Sequence, residues 1–171
     1  MSISTKFQIF CDKLRITGDK VTKIQTRYKA ITKRINTDYW GWESETANSL
    51  YVGSYGRDTD IHASDIDIHA ILPDEVYFKY KKYKSNGQSF LLQDLKQSIK
   101  KTFPLSYVSA DRQVVVIPFT DGIKFEIVPV FNHIDGQSFI YADTRNGGAW
   151  KIVNPRAEIK AIRDMNLASN N

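Results

Sequence analysis

Residues 65–69 read Asp-Ile-Asp-Ile-His, and this strict alternation is the period of a strand with one polar and one apolar face. It puts Asp65 and Asp67 on the same face, their carboxylates close together. Like charges set that near repel, and a divalent cation is the natural reason to place them there. Upstream, with ten residues between, stands Gly53-Ser54, a turn that lets backbone N–H groups approach a phosphate. A phosphate cradle followed by paired carboxylates points to nucleotide chemistry.

Around this segment the chain alternates helical and strand signals. Residues 4–15 read as a short helix through Phe7, Phe10, Cys11 and Leu14. After Thr17-Gly18-Asp19, where Thr17 or Asp19 is the expected cap, a second helix runs to about Asp38. Its apolar stripe is Val21, Ile24, Tyr28, Ile31 and Ile35, and its other faces carry Lys20, Lys23, Arg27, Lys29, Lys33 and Arg34. That basic side is either a solvated surface or one that meets phosphates. A strand is expected over 48–53, a linker over 57–63, and the acidic strand over 65–72, ended by Pro73. The tract Lys79-Tyr80-Lys81-Lys82-Tyr83-Lys84 interleaves cations with aromatics, a pattern of phosphate binders and also of solvated loops or helix ends. Residues 89–103 read as a helix stopped by Pro104.

Two β-rich runs follow, 113–119 and 123–131, joined by Thr120-Asp121-Gly122 as a hairpin. In the second run Lys124, Glu126 and Val128 share one face, with Phe125 and Ile127 on the other. Glu126 completes a set with Asp65 and Asp67 that suits Mg²⁺ or Mn²⁺, hard cations that take oxygen ligands. Transfer of a nucleotidyl group needs such charge neutralisation and an activated hydroxyl, for which Glu126 is also a candidate base. Gly53 and Ser54, with Arg57 just beyond them, are the expected phosphate contacts. His69 shares the aspartate face, in reach of the metal or substrate, in a supporting hydrogen bond, or simply exposed. Trp40, Trp42 and Trp150 read as packing anchors, and Gly147-Gly148 as a turn.

Gly-Ser, a ten-residue gap, Asp-x-Asp and a later acidic strand together resemble the nucleotidyltransferase superfamily that includes DNA polymerase beta. Further on, Lys124–Phe131, Tyr141–Trp150, Asn154-Pro155-Arg156-Ala157-Glu158 and Met165-Asn166 resemble the bacterial SMODS-type second-messenger synthases, the cGAS/DncV-like nucleotidyltransferases. The resemblance implies an α/β (α+β) polymerase-beta-like fold, a mixed sheet flanked by helices. It implies catalytic and metal-binding roles for Asp65, Asp67 and Glu126, nucleotide contacts at Gly53 and Ser54, and Mg²⁺ (or Mn²⁺) as cofactor. It also implies NTP substrates, ATP or GTP, and synthesis of cyclic di- or oligonucleotides in antiphage defence, with a nucleic acid or protein as activator. Two departures stand out. The third acid is commonly Asp in the family and is Glu126 here, one methylene longer. Family members usually continue into a helical second lobe, which this chain is expected to lack, leaving NTPs weakly held.

With 171 residues, 42% hydrophobic and 25% charged, one domain with a real core is expected. The reading divides it into N-terminal helices over 4–38, a catalytic core over 48–153 and a C-terminal helix over 156–166. A net charge of +5 favours anionic partners. The single cysteine, Cys11, excludes an internal disulfide and gives no zinc spacing. Neither a membrane-length apolar run nor a signal pattern is present, so the cytoplasm is the expected compartment. Two other functions fit the same residues: a minimal nucleotidyltransferase that adenylylates a protein, and a catalytically silent nucleotide- or RNA-binding module. Oligomeric state has no signature in the sequence.

Overall fold

The structure, a computed structural model, describes residues 2–3, 5–7, 17–56 and 65–169. The expected helix over 4–15, with Cys11, falls largely outside these residues, as does Arg57.

Helix α1 spans Gly18–Ile35. Its stripe is real, since Ile24, Ile31 and Ile35 are fully buried. Thr17 stands at the N-cap position but makes no side-chain capping bond, so neither expected cap is used as one. The helix does not run on unchanged to Asp38, because Asn36–Trp40 form a π-helical turn ended by Gly41 in the left-handed region. Asn36 explains where it stays anchored: its buried amide donates to the carbonyls of Thr32, Ser44 and Ala47.

Among the described residues seven strands make one mixed sheet. Strands β1 (Ser49–Val52), β2 (Asp65–Ile71), β3 (Ser109–Asp111), β4 (Val114–Pro118) and β5 (Lys124–Asn132) lie in the order β1-β2-β5-β4-β3. Strand β6 (Phe139–Asp143) pairs with the far half of β5 and with β7 (Ala149–Val153). Among the described residues only β2 and β5 pair in parallel; the remaining pairings are antiparallel. The expected 120–122 hairpin is the β4–β5 connection, and Gly147-Gly148, both at positive φ, close the β6–β7 turn.

Between these strands lie a helical turn α2 (Gly53–Gly56), α3 (Asp74–Lys81), α4 (Gly87–Thr102) and, last, α5 (Pro155–Ser169). Alternation then sorts the faces. Ile66 and Ile68 of β2 and Phe125 and Ile127 of β5 point into one core with Ile24, Ile31 and Ile35 of α1 and Leu91, Leu95 and Ile99 of α4. Burying such side chains stabilises by about 1.5–3 kcal/mol each, which fixes strand register strongly because a one-residue slip would turn this set outward. The opposite face therefore has to carry Asp65, Asp67 and Glu126. Among the described residues no helix is long and apolar enough to cross a membrane.

Trp40 and Trp150 are packing residues, the first donating to the Ile71 carbonyl at 3.0 Å and the second set edge-on against Tyr77. Trp42 is not, being about half exposed. The basic side of α1 is mostly matched by local acids: Lys23 and Arg27 meet Asp121, Lys33 meets Glu43, and Arg34 meets Asp38. That favours a structural role over a phosphate-binding one.

Candidate active site

Strand pairing assembles the site. In the parallel β2–β5 ladder Asp65 stands opposite Lys124 and Asp67 opposite Glu126. Residues level with each other on neighbouring strands point the same way, so two acids from distant parts of the chain come side by side. Strand β1 supplies the third neighbour, with Val52 level with Asp67. Directly after Val52 the chain turns through Gly53 at φ +62°.

A side chain at Gly53 would meet the Asp67 carboxyl group, Cγ lying 2.8 Å from an ideal Cβ. Glycine is thus required by its backbone angle and again by contact with the acid. At the other end of α2, a Cβ on Gly56 would come within 2.6 Å of the Tyr51 carbonyl oxygen. The Gly-Ser-Tyr-Gly turn is packed down onto β1 and β2, with Ser54 following Gly53 at its start.

Lys124 is the residue that sequence reasoning placed on the acid face without assigning it a task. Its Nζ lies 2.7 Å from Glu126 Oε1 and 3.2 Å from Asp65 Oδ2. The hydrogen bond to Glu126 is the main cause holding the ammonium above its ordinary pKa. Asp65 is 55% exposed and Glu126 29%, so the acids are open to solvent and to ligand. Among the described residues no group of three or more His, Cys, Asp and Glu side chains converges as a ready metal cage. The donor chemistry nevertheless fits Mg²⁺: three carboxylates on one face, two of them already holding a cation in the form of the lysine ammonium.

His69 departs from two of the expectations for it. It is 7% exposed, with its ring edge-on to Phe139 at 5.9 Å, and its Nδ1 has no hydrogen-bond partner among the described residues. Burial lowers its pKa to about 4, so the ring is neutral near pH 7. It is neither exposed nor part of a supporting hydrogen bond through Nδ1.

Beside Glu126 a cavity of about 350 Å³ is lined by Arg112, Val116 and Arg145 among others. These arginines come from the β3–β4 turn and the β6–β7 turn, joined by the Thr144 N–H donating to the Arg112 carbonyl at 3.0 Å. Arg145 is fixed by buried Asp143, which accepts from its Nε and Nη2 and from Lys151. These contacts hold the Asp143 carboxyl well below the usual range.

Residues 1–166 match the Second Messenger Oligonucleotide or Dinucleotide Synthetase (SMODS) domain. The chain belongs to this family. No curated protein matches the chain, but solved structures share the fold of this SMODS domain. The Bradyrhizobium diazoefficiens CD-NTase CdnG, in complex with GTP, is 19% identical with a TM-score of 0.66, over 86% of this chain and 43% of that one. The Vibrio cholerae cyclic AMP-GMP synthase DncV, a prokaryotic cGAS homolog, is 12% identical with a TM-score of 0.60, over 90% and 57%. CdnC of E. coli MS115-1, in its complex with HORMA-deltaN, is 16% identical with a TM-score of 0.60, over 94% and 49%. The SMODS chain thus spans about half the length of these proteins.

Of the site residues expected from sequence, the fold brings Asp65, Asp67 and Glu126 to one face with Gly53 against Asp67, and Ser54 follows Gly53 in α2. Arg57 lies outside the described residues. Lys124, Arg112 and Arg145 are the additions. Lys124 had a signal, its shared face with Glu126; the arginines sit on turns, where no periodicity marks a side chain's direction.

Proposed function

We propose that this chain is the catalytic lobe of a metal-dependent nucleotidyltransferase that joins NTPs into cyclic di- or oligonucleotide second messengers for bacterial antiphage defence. One observation carries the reading: Asp67 and Glu126 stand level on neighbouring parallel strands, with the Gly53 backbone against the Asp67 carboxyl group. The family match and the GTP complex of CdnG support an NTP as ligand.

When bound, Mg²⁺ or Mn²⁺ supplies neutralisation of the triphosphate and acidification of the attacking hydroxyl. Asp65 and Asp67 hold the cation that accompanies the donor triphosphate. Glu126 would share in holding a second cation and could accept the proton of the attacking hydroxyl; in this structure its carboxylate reaches Lys124 on the same face. Gly53 lets the backbone approach the terminal phosphates, and the Ser54 hydroxyl donates to them. Arg112 and Arg145 offer positive charge to the anionic substrate on the Glu126 side.

Calorimetry checks this directly. ATP or GTP with Mg²⁺ should bind the wild-type chain, and Asp65→Ala with Asp67→Ala should weaken binding at least about tenfold, as expected for loss of charged metal ligands. Unchanged affinity in the double variant would remove the assignment. With labelled ATP, oligonucleotide product supports second-messenger synthesis, whereas label on protein supports adenylylation of a partner.

A further inference from the structure

Lys124 places a positive charge between two of the three acids. Its ammonium contacts Glu126 on its own strand and Asp65 across the β2–β5 pair. Along a strand, residues i and i+2 lie on one face, so the contact with Glu126 follows directly from the spacing of Lys124 and Glu126. The contact with Asp65 follows from register, since Asp65 and Lys124 are level. The lysine is only 34% exposed and leaves its carboxylate partners open on their outer side.

We propose that Lys124 is a positioning residue, an internal counter-cation that holds Asp65 and Glu126 together before metal arrives and gives them up to the divalent ion. The inference rests on the metal-dependent reading above. Its physical basis is competition. Ammonium and metal ion seek the same carboxylate oxygens, and two cations cannot occupy one place without strong repulsion. Metal entry therefore requires the ammonium to swing out along its flexible four-carbon stem. Like-charge repulsion between the carboxylates is relieved in either state, so the face is never left with uncompensated acids. Metal affinity is correspondingly lower than three carboxylates alone would give.

The test is Mn²⁺ binding to the nucleotide-free chain, followed by calorimetry or electron paramagnetic resonance. Lys124→Gln and Lys124→Met should each bind Mn²⁺ about fivefold more tightly than wild type, the size of one removed charge at a partly exposed site. Lys124→Arg, which keeps the charge, should stay near wild type. Lys100→Gln, an exposed lysine on α4, makes the same change in net charge away from the acids and should have no effect. A merely structural lysine would give the opposite sign, because its loss would loosen the site and weaken binding. If wild type binds Mn²⁺, Asp65→Asn abolishes it, and both neutral Lys124 variants bind no tighter than wild type, the lysine assignment is overturned while the metal site stands. If wild type binds no Mn²⁺ at all, both are overturned.

Discussion

At Gly53 the backbone sits in the left-handed region while its Cα packs against the Asp67 carboxyl group. Gly41 shares the first property, with φ +74°, but has nothing within 4 Å of a Cβ. The pair separates backbone strain from site disruption. Gly41→Ala should cost about 1–2 kcal/mol in denaturant unfolding, the price of a left-handed residue, and leave metal–nucleotide binding intact. Gly53→Ala should cost at least as much and also abolish that binding, because Asp67 has to move aside. Equal binding in the two variants would mean that the Asp67 position is not needed. The residue scale is also where sequence was most informative. Asp65, Asp67 and Glu126 were readable because a strand's period of two assigns a face to each side chain without knowledge of its neighbours. The ion pair from Lys124 to Asp65 was not, because it depends on which strands pair and in which register.

Helix α1 is tied to the β4–β5 hairpin by a bidentate contact. The Arg27 guanidinium donates to both Asp121 oxygens at 3.0 and 2.8 Å and lies 3.9 Å over the Phe119 ring. That hydrogen bond lowers the Asp121 pKa from 3.8 to about 2. Because the folded value lies below the unfolded one, the unfolded chain binds the proton first as pH falls. The contact's contribution is thus full above about pH 4 and lost toward about pH 2. Asp121→Asn should cost about 1 kcal/mol at pH 7, discounted for a solvent-accessible pair, and nothing near pH 2. Thermal melts of both proteins across that range provide the check, and a gap that persists at low pH would contradict it. Elements with regular patterns were legible: α1, α4, β2, β4 and β5 follow their stripes or alternation. Strands β3 and β7 were not, the first being three residues long and the second having no buried residue to set a phase. The periodicity marks helix α3 only as the flank of a basic tract, although Pro73 followed by Asp74 and Glu75 is a helix-start pattern. Its Tyr77 packs on Phe131 and Trp150, and that tertiary anchor is not visible in local sequence.

Across the whole molecule, the sheet divides the labour between its faces: α1 and α4 bury one side, and the acids occupy the other. The mixed architecture with flanking helices agrees with the expected fold, to which the β6–β7 pair and the short β3 are additions. The feature with the longest reach is the parallel pairing of β2 with β5. Lys124 follows Asp65 by 59 residues, and contacts between such distant segments form slowly because the intervening loop must close first. In refolding experiments, Mn²⁺ capture should accordingly belong to the slowest phase, after the far-ultraviolet signal of α1 and α4 has recovered; capture that keeps pace with the helices would speak against it. The same ordering applies at the ribosome. A nascent chain that ends between β2 and β5 carries Asp65 and Asp67 without Glu126 or the lysine that accompanies it, so the acidic face stays incomplete until β5 has emerged.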